Sequence, residues 1–195
     1  MTKTIRQPLL PMRRSLPFAL LLLATHLAGC ATAARAPAMT ASATAVASLS
    51  APEALKRNVT IGPVSGGHDT NPMWMSQVGN AEFQTALRNS LDAAGLLANG
   101  PEPGRYVLGA ELQRLKQPVF GFNMKVTAVV DYHLQERTSG RRVFESEVTT
   151  PYTAELGEAF LGVERLQLAN EGAIRTNIEH FIRELVESFS GTPTP

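Results

Sequence analysis

The chain of 195 residues holds a single cysteine, Cys30, directly after Leu27-Ala28-Gly29. A thiolate is a good nucleophile and can accept an alkyl group, while the small side chains of Ala28 and Gly29 leave the preceding backbone open to a peptidase. A second concentration of reactive types is Ser65-Gly66-Gly67-His68-Asp69-Thr70-Asn71-Pro72-Met73-Trp74. Ser65, His68 and Asp69 supply a nucleophile, a base and an acid by type. Neighbours on one loop rarely form the ordered hydrogen bonds of a triad, however, and no Gly-x-Ser-x-Gly elbow accompanies them. No catalytic residue is assigned. His68, His133 and His180 are scattered, without metal-ligand spacing, so no metal or cofactor is expected. Gly66-Gly67 lacks the Gly-Lys-Ser/Thr that completes a phosphate-binding loop and reads as a turn. What remains on this stretch is the only Trp, flanked by Met73 and Met75, an adaptable apolar surface of the kind partners use. Gly66, Gly67, His68, Asp69, Asn71, Met73 and Trp74 form the candidate partner-binding loop.

Ahead of Cys30 the order is that of an export signal: Arg13-Arg14, the apolar run Phe18 to Ala24, then small residues. Leu16 to Leu27 is shorter than the roughly 20 apolar residues a membrane span needs. Leu27-Ala28-Gly29-Cys30 resembles the lipobox of bacterial lipoproteins at all four positions. That resemblance implies a diacylglycerol thioether on Cys30, cleavage before it, and further acylation, with palmitate as a label. Ala31 in place of Asp implies the outer membrane under the sorting rule of enterobacterial lipoproteins. Met12 is an alternative start to Met1, since Arg13-Arg14 makes a better n-region than Met1-Thr2-Lys3.

Loss of residues 1–29, which carry Lys3, Arg6, Arg13 and Arg14 and no acid, would take the net charge from +1 to −3. A nucleic-acid partner needs clustered positive charge and is not expected. With one cysteine, no disulfide forms within the chain. Residues 30–54, rich in Ala, Thr, Ser and Pro, have little apolar surface to bury and read as a flexible tether. At about 5 to 6 Å times the square root of its length, such a tether would hold the domain a few tens of Å from the lipid.

The globular domain is expected over residues 55–190, with a disordered tail at 191–195. Val59 and Ile61 begin a short strand ended by Pro63. Asn80 is the expected N-cap of a helix in which Phe83, Ala86, Leu87, Ser90, Leu91 and Ala94 share a face, stopped by Gly95. Tyr106, Leu108, Ala110 and Leu112 alternate as a strand. Phe122, Met124, Val126, Ala128, Val130, Tyr132 and Leu134 alternate through a longer one, with His133 expected to face solvent. Val143 to Tyr152 completes a hairpin after the turn Arg137 to Gly140. A closing helix from about Leu161 to Phe189 carries an apolar stripe from Leu166 to Phe189. Its other side has Glu171, Arg175, Glu179, Arg183 and Glu187 at i, i+4, expected as a solvated face. The fold class is therefore α+β: a two-layer sandwich of order βαβββα, a mainly antiparallel sheet with two helices on one face. The pairing of the first strand stays open.

This order, with Gly66-Gly67, Thr70-Asn71-Pro72-x-Trp74, Phe83-x-x-Ala86-Leu87-x-x-Ser90-Leu91 and Glu171-Gly172-Ala173-x-Arg175-x-Asn177-Ile178, resembles small uncharacterised proteobacterial lipoproteins. More broadly it resembles the auxiliary lipoproteins of ABC-type lipid transport and the lipopolysaccharide-assembly lipoprotein. The resemblance implies a non-catalytic protein on the periplasmic face of the outer membrane, anchored through Cys30 and binding a protein or lipid partner. An alternative is a lipid- or glycolipid-carrying or acyl-transferring protein. The UDP-N-acetylglucosamine acyltransferase label borne by some relatives belongs to hexapeptide-repeat β-helices, and this chain has no six-residue repeat.

Overall fold

The structure, a computed structural model, describes residues 31–71 and 75–191. The leader, Cys30 and the rest of its lipobox, Pro72, Met73, Trp74 and residues 192–195 lie outside the described residues. Two short helices, α1 (Ala36–Met39) and α2 (Ala43–Ala47), come first. Then follow β1 (Val59–Ser65), α3 (Asn80–Ala93), β2 (Tyr106–Lys116), β3 (Met124–Glu136), β4 (Arg142–Ala154) and α4 (Gly162–Ser190).

The four strands lie in the order β1-β2-β3-β4. β1 runs parallel to β2, which α3 makes possible by carrying the chain back across the sheet. The β2/β3 and β3/β4 pairs are antiparallel. The even positions of β3, from Met124 to Leu134, are buried beneath the helices together with Tyr106, Leu108, Ala110 and Leu112 of β2. The period of two read from the sequence thus names the core face correctly. On the reverse face, His133 is half-buried because its ring lies over Gly109, where an added Cβ would come within 2.3 Å of it. β4 is an outer edge and carries Pro151, which has no N–H to donate.

One polar cluster crosses the sandwich. The Tyr132 hydroxyl donates to Asn177 Oδ1 at 2.9 Å, and Asn177 Nδ2 donates to the carbonyl of Val148 and the hydroxyl of Thr150. Thr150 in turn donates to the carbonyl of Ala173. Each of these groups is buried with a partner, which avoids the cost of about 1–3 kcal/mol for an unsatisfied one. Tyr132 stacks on Phe181 with ring centroids 4.0 Å apart, and burial drives its phenol well above the usual tyrosine pKa.

Several expectations need correction. β1 continues past Pro63 to Ser65, with an irregularity in register between Ile61 and Val64 that accommodates the proline. Gly79, not Asn80, is the N-cap of α3; the Asn80 side chain accepts from the Gly67 N–H instead. Gly95 does end α3, with φ +71°. Phe122 stands outside β3 and is exposed, because the alternation extends one step into the turn after Gly121.

The largest correction joins two expectations. Residues 31–47 are not a free tether, and Glu171 is not solvated. The early segment lies lengthwise on α4, with contacts that follow the helical repeat. Thr32 donates to the Gln167 side chain, and Gln167 Nε2 donates to the carbonyl of Ala33. Arg35 donates through its backbone N–H and Nε to Glu171 Oε1, both at 2.9 Å, and through Nη2 to Oε2. Arg175 donates to the carbonyl of Ala38, and Glu179 accepts from the Ser42 N–H. Met39 and Val46, the largest apolar side chains of the segment, are fully buried between α3 and α4. The Ala41 N–H donates to Ser90 on α3. The segment orders here because Met39, Val46 and several alanines bury against the helices while the charged stripe of α4 supplies polar partners along its length.

Candidate functional site

The loop between β1 and α3 is closed rung by rung at its base. Gly66 takes φ +80°, and a Cβ there would lie 2.2 Å from the carbonyl oxygen of Leu112, so only glycine lets this turn pass beside β2. The His68 N–H donates to the carbonyl of Val78, and the Gln77 N–H to the Thr70 hydroxyl. Asn71 pairs with Met75 across the next rung. Gly66-Gly67 is thus a structural turn. Met73 and Trp74 fall outside the described residues, on the stretch that this ladder leads to.

Ser65, His68 and Asp69 are all exposed, and among the described residues no hydrogen bond joins them. The arrangement lacks the nucleophile-to-base and base-to-acid contacts that general-base activation requires. Among the described residues there is also no group of three or more His, Cys, Asp or Glu side chains placed to share a metal ion.

The loop lies against an open stretch of sheet edge. β1 pairs with β2 only as far as Ser65 opposite Glu111, and β2 continues from Leu112 to Lys116 with no described strand on that side. Between them is a cleft of about 610 Å³, with Gly66, His68, Met75 and Gln77 on one wall and Leu112 to Leu115 on the other. Gln117 also lines it and donates to the carbonyl of Ser76, which accepts from the buried Asn170 as well. Sequence reasoning offered the loop as a partner surface. It missed the β2 overhang, whose only signal was that β2 is longer than β1.

A second surface went unnoticed in the sequence. The β2–β3 turn exposes Val119, Phe120 and Phe122, and the β4–α4 loop exposes Phe160. Arg165, itself buried, donates through Nη1 to the carbonyls of Ala159 and Phe160 at 2.7 and 2.8 Å, which fixes the second loop. The Leu156 N–H donates to Asn123 Oδ1 and ties the two loops together. Of these side chains only Phe122 was assigned, to the long strand, while Val119, Phe120 and Phe160 lie in stretches without periodicity.

Among solved structures, the chain is similar to a candidate lipoprotein from Caulobacter crescentus CB15, with a TM-score of 0.50 at 16% identity over 71% of this chain and 95% of that one. It is also similar to a Xanthomonas campestris protein of the DUF330 family, with a TM-score of 0.49 at 12% identity over 68% and 84% of the two chains. A lipoprotein of Neisseria meningitidis gives a TM-score of 0.39 at 10% identity over 66% and 96%. The likeness to the Caulobacter protein is one of fold. No protein-family model matches this chain, and no curated protein sequence matches it. Among the described residues, no helix is long and apolar enough to cross a membrane.

Proposed function

We propose that this chain is a lipid-anchored protein of the bacterial outer membrane, acylated at Cys30, and that its periplasmic domain acts without catalysis by binding an envelope partner. The observation that carries the reading is Leu27-Ala28-Gly29-Cys30 placed directly after a basic and an apolar segment. Two or three acyl chains make such an anchor effectively permanent, at about 0.8 kcal/mol per buried methylene. The shared fold with a candidate lipoprotein agrees with it. C30S should abolish incorporation of radioactive palmitate; undiminished labelling would remove the proposal.

The partner site is the loop Gly66 to Trp74 together with the cleft it forms against β2. A strand edge with no described neighbour, beside a loop whose sequence carries Met73, Trp74 and Met75, suits a partner that adds backbone hydrogen bonds and inserts side chains. Replacing Met73, Trp74 and Met75 together by alanine should end pull-down of a partner by the protein while leaving the melting temperature unchanged. A fall in stability with capture intact would instead make the loop part of the core. The carrier alternative gains no support from the interior: Tyr132, Phe83, Phe181 and Leu134 fill the space between helices and sheet where an acyl chain would lie.

A further inference from the structure

We propose that the end of the domain formed by the β2–β3 turn and the β4–α4 loop rests in the lipid surface, with Val119, Phe120, Phe122 and Phe160 inserted among the headgroups. The inference deepens the anchor reading above and rests on it for the position of Cys30.

The first ground is exposure. Phe120 is 86% exposed, Phe122 80%, Phe160 91% and Val119 86%. Single exposed apolar residues are ordinary, but four on two joined loops are a patch that water does not favour. They are not slack: the buried Arg165 and the Asn123 contact hold both loops outward. Beside them a cleft of about 500 Å³, lined by Val119, Phe120, Met124, Leu161, Val163 and Leu166, continues the apolar surface.

The second ground selects a bilayer as the occupant, and it is where the ordered chain begins. The 31–47 segment lies along α4 with Thr32 at Gln167, Arg35 at Glu171, Ala38 at Arg175 and Ser42 at Glu179. Followed backwards, the chain therefore runs toward the first turn of α4, whose Gly162, Val163 and Leu166 line that same apolar cleft. Ala31 is already buried, and Cys30 is one residue beyond it, about 3.8 Å between Cα atoms. An acyl group on Cys30 would therefore enter a bilayer close to this apolar end. The bilayer that receives it must lie against these loops.

Charge is compatible with this placement. Lys116 and Lys125 flank the turn on either side, as cations at headgroup depth commonly do, while Glu155 and Glu158 on the second loop oppose them. Insertion then depends on the apolar side chains and not on anionic lipid. Because the acyl chains fix one point only, the inserted loops determine the tilt: α4 rises from the membrane, and the Arg137–Gly140 turn points away.

The test uses the mature protein as cells process it, reconstituted in neutral phosphatidylcholine vesicles with brominated acyl chains. In a W74F background, F120W and, separately, S139W each provide one indole at opposite ends of the sheet. The F120W indole should be blue-shifted and quenched severalfold by bromine, and the S139W indole should be unaffected. Equal quenching at both sites, or none at either, overturns the proposal. A blue shift at F120W without bromine quenching also overturns it, because a second copy or a protein partner then covers the patch. Intact mass of the same sample reads acylation of Cys30 separately. Acylated protein with no quenching refutes the docking and leaves the anchor standing; quenching in unacylated protein does the reverse.

Discussion

The two ends of the sheet are built from turns of opposite character. At one end, the β2–β3 turn carries Val119, Phe120 and Phe122 and no charge between Lys116 and Lys125. At the other, the β3–β4 turn around Gly140 is enclosed by ions. Arg105 pairs with Glu136 at 2.9 Å, Arg141 approaches the same carboxylate, and Arg142 pairs with Glu145. Arg137 donates to the carbonyl of Gly104. Both turns join antiparallel strands, so the requirements of the fold do not explain the contrast. It reports what each end meets: one surface that water solvates well and one that it does not.

The comparison stands only if the early segment truly brings the start of the chain to the apolar end, and the largest test is there. M39A should destabilise the protein by about 2–5 kcal/mol, as for other fully buried methionines, measured by urea unfolding. A free tether would give no change. E171A should cost less, about 1–3 kcal/mol, because Gln167 loses an acceptor while Arg35, largely exposed, can rehydrate. Faster hydrogen exchange confined to residues 31–42 would accompany it and would show the chain start coming loose.

The smallest effect belongs to the charged end. The Ser139 hydroxyl and the Arg105 guanidinium hold the Glu136 carboxyl below its usual range. A carboxyl depressed in the folded state stabilises above its unfolded pKa, about 4.3 for glutamate, and that contribution disappears as pH falls through the lower folded value. The melting temperature of E136Q should therefore lie slightly below that of the parent at neutral pH, with the gap closing below about pH 4. A constant gap would mean that the carboxylate acts by packing.

How much of this was legible follows from the range over which each signal acts. Alternation from Met124 to Leu134 named the buried face because neighbours two apart share a side of a strand whatever lies beyond. The stripe Glu171, Arg175 and Glu179 was misread because helical spacing tells which side chains leave the sheet-facing surface. It does not tell whether a distant piece of chain covers them. Residues 31–47 were misread for the complementary reason. Composition counts residue types, and what orders this segment is the burial of Met39 and Val46 together with hydrogen bonds to partners more than a hundred positions away. The loop after Ser65 was recognised as turns from its Gly and Asn-Pro content, yet the overhang of β2 beside it depends on strand pairing that local sequence does not encode.

Pro151 on the outer strand has a consequence for crowding. Proteins confined to a plane meet one another far more often, and in fewer orientations, than the same proteins in solution. An unprotected strand margin held at constant height would let neighbours zip into continuous ribbons. On the membrane proposed above, a residue without an amide hydrogen, with Glu145 and Glu147 farther along the same margin, would let many copies stand side by side and remain separate molecules.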